Sequence, residues 1–272
     1  MPFHSLAGRT ALITGANHGI GAATARALAR LGTNVALTYV RLEVEDDDPG
    51  QPADYGRHRR ESADAVVAAV ESAGVRCVSI EADLTDPAVP GLLFDQVEAT
   101  LGPVSILVNN ASGWRQDTFV PDTGGRFDSH TELVSAATFD AQFHVDARGS
   151  ALLIVEFATR HRRRGDRWGR IIGLTSGGPH GFPGEASYGA AKAALENYTM
   201  TAAIELADQG ITANVVHPPV TDTGWITDDV RRFVAASDEH VHVADPAEVA
   251  EIIAWLCTDT AGLITGTLLR LR

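Results

Sequence analysis

The sequence predicts an α/β fold: one doubly wound, parallel sheet of about seven strands with helices on both faces. Three observations predict it. Seven short strand-like runs alternate with helical stretches along the 272 residues, and such alternation implies right-handed crossovers and a parallel sheet covered on both sides. The first run passes through a glycine-rich turn straight into an alanine-rich helix. Polar residues recur just after the later strands, at carboxyl ends that in an open parallel sheet share the edge where ligands bind.

The elements follow in order. A strand at 9–14 ends in Thr14 and runs into Gly15-Ala16-Asn17-His18-Gly19-Ile20-Gly21. The next helix carries Ile20, Ala23, Ala27, Leu28 and Leu31 on one stripe, the periodicity of a helix that buries a single face. Glycines suit the turn because they accept unusual backbone angles and let an anionic pyrophosphate approach backbone N–H groups at the helix start. The spacing is Gly-x-x-x-Gly-x-Gly, not the commoner Gly-x-Gly-x-x-Gly, and an ordinary glycine-rich turn is the plain alternative. Strands at 34–39, 76–81, 104–109, 169–175, 211–216 and 263–269 complete the count. The third leads to Asp83 and Leu84, the fourth to Asn110 and Ala111, the fifth to Ser176, and the sixth to Pro218 and Pro219. The last helix should start at Asp245-Pro246-Ala247-Glu248, where Asp245 caps, Pro246 fits the first turn and Glu248 completes a capping box.

Two insertions interrupt a chain otherwise read as one domain spanning 1–272. Residues 43–60, acidic and then basic, read as a solvated, mobile surface loop. Residues 112–134 carry Trp114, Phe119 and Phe127 among polar residues. They either fold over the cleft and shape substrate choice or form a surface excursion or subunit contact. The run Arg160-His161-Arg162-Arg163-Arg164 reads as a solvated helix end, where cations favour the dipole.

Composition narrows the partners. With 22 basic against 35 acidic residues the net charge is −13, which disfavours nucleic acid and anionic membranes. Cys77 and Cys257 stand far apart without metal-ligand spacing, so neither a disulfide framework nor a bound metal is expected. Neither a signal segment nor a bilayer-spanning stretch is evident, and a cytoplasmic protein is the expectation.

Tyr188 and Lys192 carry the chemistry. Four positions apart on a helix, they project from one face. A cation held near a phenol stabilises the phenolate and lowers its pKa from about 10. Taken alone, Tyr-x-x-x-Lys is a weak signal. Together with Thr14-Gly15-Ala16-Asn17-His18-Gly19-Ile20-Gly21, Asp83, Asn109-Asn110-Ala111, Ser176, Pro218 and Thr221-Asp222-Thr223, it makes the chain resemble the short-chain dehydrogenase/reductase family over nearly its whole length. The branch is most similar to 3-oxoacyl carrier-protein reductases.

The resemblance implies a Rossmann-type domain that moves hydride between a nicotinamide and a carbonyl or secondary alcohol of a small-molecule substrate. Tyr188 would be the acid/base, Ser176 would hydrogen-bond the reacting oxygen, and Lys192 would lower the tyrosine pKa and bind the nicotinamide ribose. Cofactor contacts would fall to Gly15, Asn17, His18, Gly19, Ile20, Gly21, Tyr39, Leu84, Ala111 and Pro218. Asp83 would meet adenine, Asn110 the adenosine ribose, and Thr221 and Thr223 the carboxamide and pyrophosphate. No acid stands at the end of the second strand, where NAD-preferring relatives carry one; Arg41 and His18 are there to meet a phosphate, so NADP(H) is expected, with NAD possible. A homo-oligomer, tetramer or dimer, is expected by the same resemblance.

Departures from the family pattern are informative. Ser176 lies 12 positions before Tyr188, one fewer than usual, and Thr175 is the fallback hydroxyl. Asp146 replaces the asparagine that supports a relay water in relatives. On helical spacing it shares a stripe with Phe139, Phe143, Leu153 and Phe157, so it should face inward and needs a partner, either the relay water or Lys192. The alternative is that its backbone carbonyl alone serves the water. Asp146, Pro219 in place of a glycine and the Ser176 spacing motivate a competing reading, a dinucleotide-binding sensor or scaffold that has lost turnover. Retention of Ser176, Tyr188 and Lys192 together argues against it.

Overall fold

A computed structural model describes residues 5–41, 52–121, 131–178, 180–238 and 240–272. Its seven-stranded sheet is parallel throughout. In chain order the strands are β1 (Thr10–Ile13), β2 (Asn34–Tyr39), β3 (Cys77–Glu81), β4 (Ile106–Asn109), β5 (Gly169–Leu174), β6 (Ile211–His217) and β7 (Leu268–Arg270), and they lie side by side as β3-β2-β1-β4-β5-β6-β7. The order reverses between β1 and β4, which places the switch point of the sheet beside the glycine turn.

The helices are α1 (Gly19–Arg30), α2 (Ala53–Arg60), α3 (Asp64–Glu71), α4 (Val89–Leu101), α5 (Ala136–Gln142), α6 (Ser150–Arg164), α7 (Ala186–Glu205), α8 (Asp228–Ala235) and α9 (Pro246–Leu256). Strand alternation sorts them into two layers. Ala11 and Ile13 join the core under α1, α3 and α9, with Leu28, Val66 and Ile253. Leu12 faces the opposite layer, where Phe94 of α4, Phe157 of α6 and Ala202 of α7 pack. Phe94 and Phe157 are fully buried, each worth about 1.5–3 kcal/mol of transfer free energy. The expected capping box at α9 is present: Asp245 Oδ1 accepts from Ala247 N at 2.7 Å and Glu248 Oε2 from Asp245 N at 2.8 Å.

Several expectations need correction. The strand expected at 263–269 shrinks to Leu268–Arg270: just before it Gly266 N donates to Ala213 O and Val215 N to Thr267 O, but side-chain bonds interrupt the ladder around them. Asn214 donates to Ile264 O at 2.7 Å and accepts from Thr267 N, while Thr265 Oγ1 accepts from Ala213 N. The basic run on α6 is solvated only in part: Arg162 and Arg163 are exposed, but Arg164 pairs with Glu98 and Asp166, both at 2.7 Å, Arg160 reaches Asp95, Glu98 and Glu156, and His161 is buried.

The insertion after β2 is not simply a loop. Residues 42–51 lie outside the described residues, but its second half is α2, docked on the glycine turn where Asn17 Nδ2 donates to His58 O at 3.1 Å and Glu61 O at 3.0 Å. In the second insertion Phe127 lies outside the described residues and Phe119 is exposed. Asp117–Thr118 and Glu132–Leu133 there form a two-residue parallel ladder.

The stripe through Asp146 is also broken. Residues Phe143–Gly149 form a π-helical segment between α5 and α6. Its wider turns offset the faces before and after it. Asp146, Leu153 and Phe157 are fully buried as expected, whereas Phe139 is 44% exposed and stacks on Phe143 with ring centres 4.0 Å apart.

Candidate active site

The carboxyl ends of the strands border a cleft of about 1780 Å³. All the site residues expected from the sequence line it except Gly21, Arg41 and Asp146. The floor at one end is the glycine turn. Gly15 has φ +62°, and a Cβ on Gly21 would collide with the carbonyl oxygen of Gly15. Asn110 stitches this turn to β4: its side-chain NH₂ donates to Thr14 O at 2.9 Å and Gly15 O at 2.8 Å. Thr14 Oγ1 accepts in return from the backbone N–H groups of Asn110 and Ala111, both at 3.0 Å. The NH₂ group of Asn110 therefore holds the turn, and the residue also borders the cleft.

The residues present fit a dinucleotide. His18 occupies the N-cap of α1 and makes no side-chain hydrogen bond to the first turn, so Gly19 and Ile20 bring donor groups and the positive helix end to the cleft. Thr223 sits over this turn, close enough that a Cβ on Gly19 would strike its methyl group. Asp83 borders the same end and accepts from Thr85 N at 2.8 Å.

At the other end, α7 brings Tyr188 and Lys192 into the cleft. The two do not pair as expected. Lys192 Nζ lies 5.6 Å from the centre of the Tyr188 ring and 2.8 Å from Asp146 Oδ1, and the ion pair is almost wholly buried. Asp146 Oδ2 accepts from Gly113 N at 2.9 Å and Ser112 Oγ at 3.2 Å, so the carboxylate ties α7 to the segment after β4. Burial pushes the Tyr188 phenol well above the ordinary tyrosine range; Asp146 and Glu185 push the same way, and a hydrogen bond with Ser176 pulls against them. Burial first, and then the nearby carboxylates, thus outweigh any acidifying effect of Lys192, whose ammonium is paired with Asp146, one of the two partners expected for that residue.

Ser176, not Thr175, is the hydroxyl that bears on the tyrosine, pulling its pKa down. Thr175 is buried and its hydroxyl donates to Glu196 Oε1 at 2.7 Å. Trp114 leans over the cleft, with Nε1 donating to Glu185 Oε1 at 3.3 Å and its ring edge-on to Tyr55 of α2, centres 6.1 Å apart.

One contributor was invisible in the sequence. Asp117 is fully buried and its Oδ1 accepts from Ser187 N at 2.8 Å, holding the first turn of the helix that carries Tyr188. Nothing in its local pattern marks it; only the chain path brings residues 70 positions apart together. Arg41 does not reach the cleft. Its guanidinium forks on Glu81, with Nε 3.0 Å from both carboxylate oxygens and Nη2 2.6 Å from one.

Anion-ready helix start, parallel-sheet switch point and a Ser-Tyr-Lys cluster at one edge together define a dinucleotide-dependent oxidoreductase. Comparison with known proteins gives the family. A family model described as enoyl-(acyl carrier protein) reductase matches residues 53–271. The uncharacterized oxidoreductase YjdA of Bacillus subtilis is 32% identical over 264 residues, 96% of this chain and 94% of that protein. Versicolorin reductase 1 of Aspergillus parasiticus is 30% identical over 284 residues, covering 98% and 95%. The structure of a short-chain dehydrogenase from Burkholderia cenocepacia in complex with NADP superposes with a TM-score of 0.79 at 30% identity, covering 98% of this chain and 97% of that one. The chain belongs to the short-chain dehydrogenase/reductase family and is an oxidoreductase.

Among the described residues, no helix is long and apolar enough to cross a membrane, and no group of three or more His, Cys, Asp or Glu side chains is placed to hold a metal.

Proposed function

We propose that the chain is an NADP(H)-dependent reductase of small-molecule ketones, able to run in reverse on secondary alcohols, with Tyr188 as its acid/base. The observation that carries this is the convergence of Ser176, Tyr188 and Lys192 with the glycine turn on one cleft. NADP(H) when bound supplies the hydride. Tyr188 gives its proton to the substrate oxygen as negative charge develops there, and Ser176 donates a hydrogen bond to the same atom. A phenol held neutral by burial and by Asp146 is a competent donor at neutral pH. For alcohol oxidation the phenolate is needed, so the same shift favours the reductive direction. Lys192 lies 2.8 Å from Asp146 and 5.6 Å from the Tyr188 ring centre, where its ammonium offsets part of the carboxylate's effect on the phenol.

Tyr55, Trp114 and Phe182 present aromatic faces along the cleft, a lining that suits a flat, ring-bearing ketone. Exposed Tyr198 and Ile204 on α7, with Leu263 beyond α9, support a homo-oligomer.

The test is a screen of cyclic ketones, quinones and 3-oxoacyl thioesters with NADPH, run on the wild type and Tyr188→Phe together. Turnover should fall by about 10²–10⁴-fold in the variant while NADPH affinity changes little. Tight NADPH binding with no tyrosine-dependent turnover on any of these substrates would instead favour the sensor.

A further inference from the structure

We propose that Arg59, on the helix inserted after β2, is the cation that recognises the adenosine 2′-phosphate of NADP(H); this rests on the cofactor reading above. The two cations expected from the sequence to do so are both unsuited. Arg41 is neutralised by its forked pair with Glu81 and does not border the cleft. His18 does border it, but burial first, and then the fields of His58 and Arg59, lower its pKa to about 4, so at neutral pH it offers a hydrogen bond and no charge.

Arg59 differs in three ways. It lines the cleft close enough to His18 for its charge to act on that ring, and is only partly exposed. Among the described residues no carboxylate lies within ion-pair reach of it, whereas its neighbour Arg57 pairs with Glu61 at 3.5 Å. Its guanidinium packs over the Tyr55 ring, 5.5 Å from the centre, which orients the planar fork and limits the entropy lost when it binds.

The backbone on either side of Arg59 is clamped. Asn17 of the glycine turn donates to the carbonyl oxygens of both His58 and Glu61, and the His18 ring stacks on His58 with centres 5.9 Å apart. On the far side, α2 lies against Gly224 so closely that a Cβ there would come within 2.8 Å of His58 Nδ1. The interaction of cations with a helix C-terminus accounts for a basic last turn in general, but not for one arginine turned into the cleft and fixed to the turn that receives the cofactor. A guanidinium fork and a phosphate dianion match in both charge and geometry.

The assignment is tested on the full chain by measuring dissociation constants for NADPH, NADH, adenosine 2′,5′-bisphosphate and 5′-AMP in the wild type, Arg59→Ala, Arg59→Lys and Arg41→Ala, with melting curves to verify folding. Arg59→Ala should weaken NADPH and the bisphosphate by about 10- to 100-fold, the loss of a charged hydrogen-bonded contact, and leave NADH and 5′-AMP within about threefold. Arg59→Lys should restore part of the loss, and Arg41→Ala should change little. Equal weakening of NADPH and NADH would overturn the assignment, since it would put Arg59 on a group common to both. A wild-type preference for NADPH that survives Arg59→Ala would overturn Arg59 alone; a wild type without preference would overturn the cofactor reading itself.

Discussion

Exchanging Asp146 for asparagine removes one negative charge from the interior and keeps the side chain's shape. The carboxylate faces three donors: Lys192 Nζ at 2.8 Å, Gly113 N at 2.9 Å and Ser112 Oγ at 3.2 Å. An asparagine has one acceptor oxygen, so its NH₂ group must confront Lys192 or the Gly113 amide, a mismatch worth about 1–3 kcal/mol of stability. Asp146→Ala should cost more, about 3–5 kcal/mol, because Lys192 is 2% exposed and would keep a buried charge without a partner.

The effect on Tyr188 follows from the same distances. With Nζ 2.8 Å from the carboxylate and 5.6 Å from the ring centre, the carboxylate lies no more than about 8.4 Å from the ring. At that separation and an effective dielectric of about 20, loss of the charge is worth ~2 kcal/mol, between about one and two pH units. A nearby anion raises a phenol's pKa, so its removal lowers it. The assay is kcat/KM for NADPH-dependent ketone reduction across pH, beside an ultraviolet titration of tyrosinate. In Asp146→Asn the limb governed by Tyr188 should move to lower pH by about one to two units. Superimposable profiles, or a shift to higher pH, would refute the electrostatic argument.

Two further outcomes are expected. Asp117→Ala strands the Ser187 N–H in the interior, so urea unfolding should show a loss of about 1–3 kcal/mol, and kcat should fall more than NADPH affinity as the first turn of α7 loosens. His18 titrates near 4 in the fold against 6.5 in the unfolded chain, which therefore takes up the proton first as pH falls. Its contribution is whole above pH 6.5 and is lost between 6.5 and 4, by up to about 3 kcal/mol. His18→Gln should flatten that part of the stability–pH curve, and curves that stay parallel through this window would count against a neutral, buried His18.

Features written along the chain were legible from it. The alternation of seven apolar runs with helices, the glycine turn into α1, the capping box at Asp245 and the Tyr188–Lys192 spacing each depend on local periodicity and side-chain chemistry. Even the need of Asp146 for a partner followed from its expected burial. Which partner it takes did not. That Lys192 turns to Asp146, that Arg41 closes on Glu81, that Asn17 grips α2 and that Asp117 holds the start of α7 are meetings of residues distant in sequence. Architecture and the type of chemistry are written locally along the chain; the electrostatics of the site arise only in the tertiary structure. The reason is physical: a charge's energy depends on how far it is removed from water and on what lies within a few ångströms, and both are set only when the layers pack.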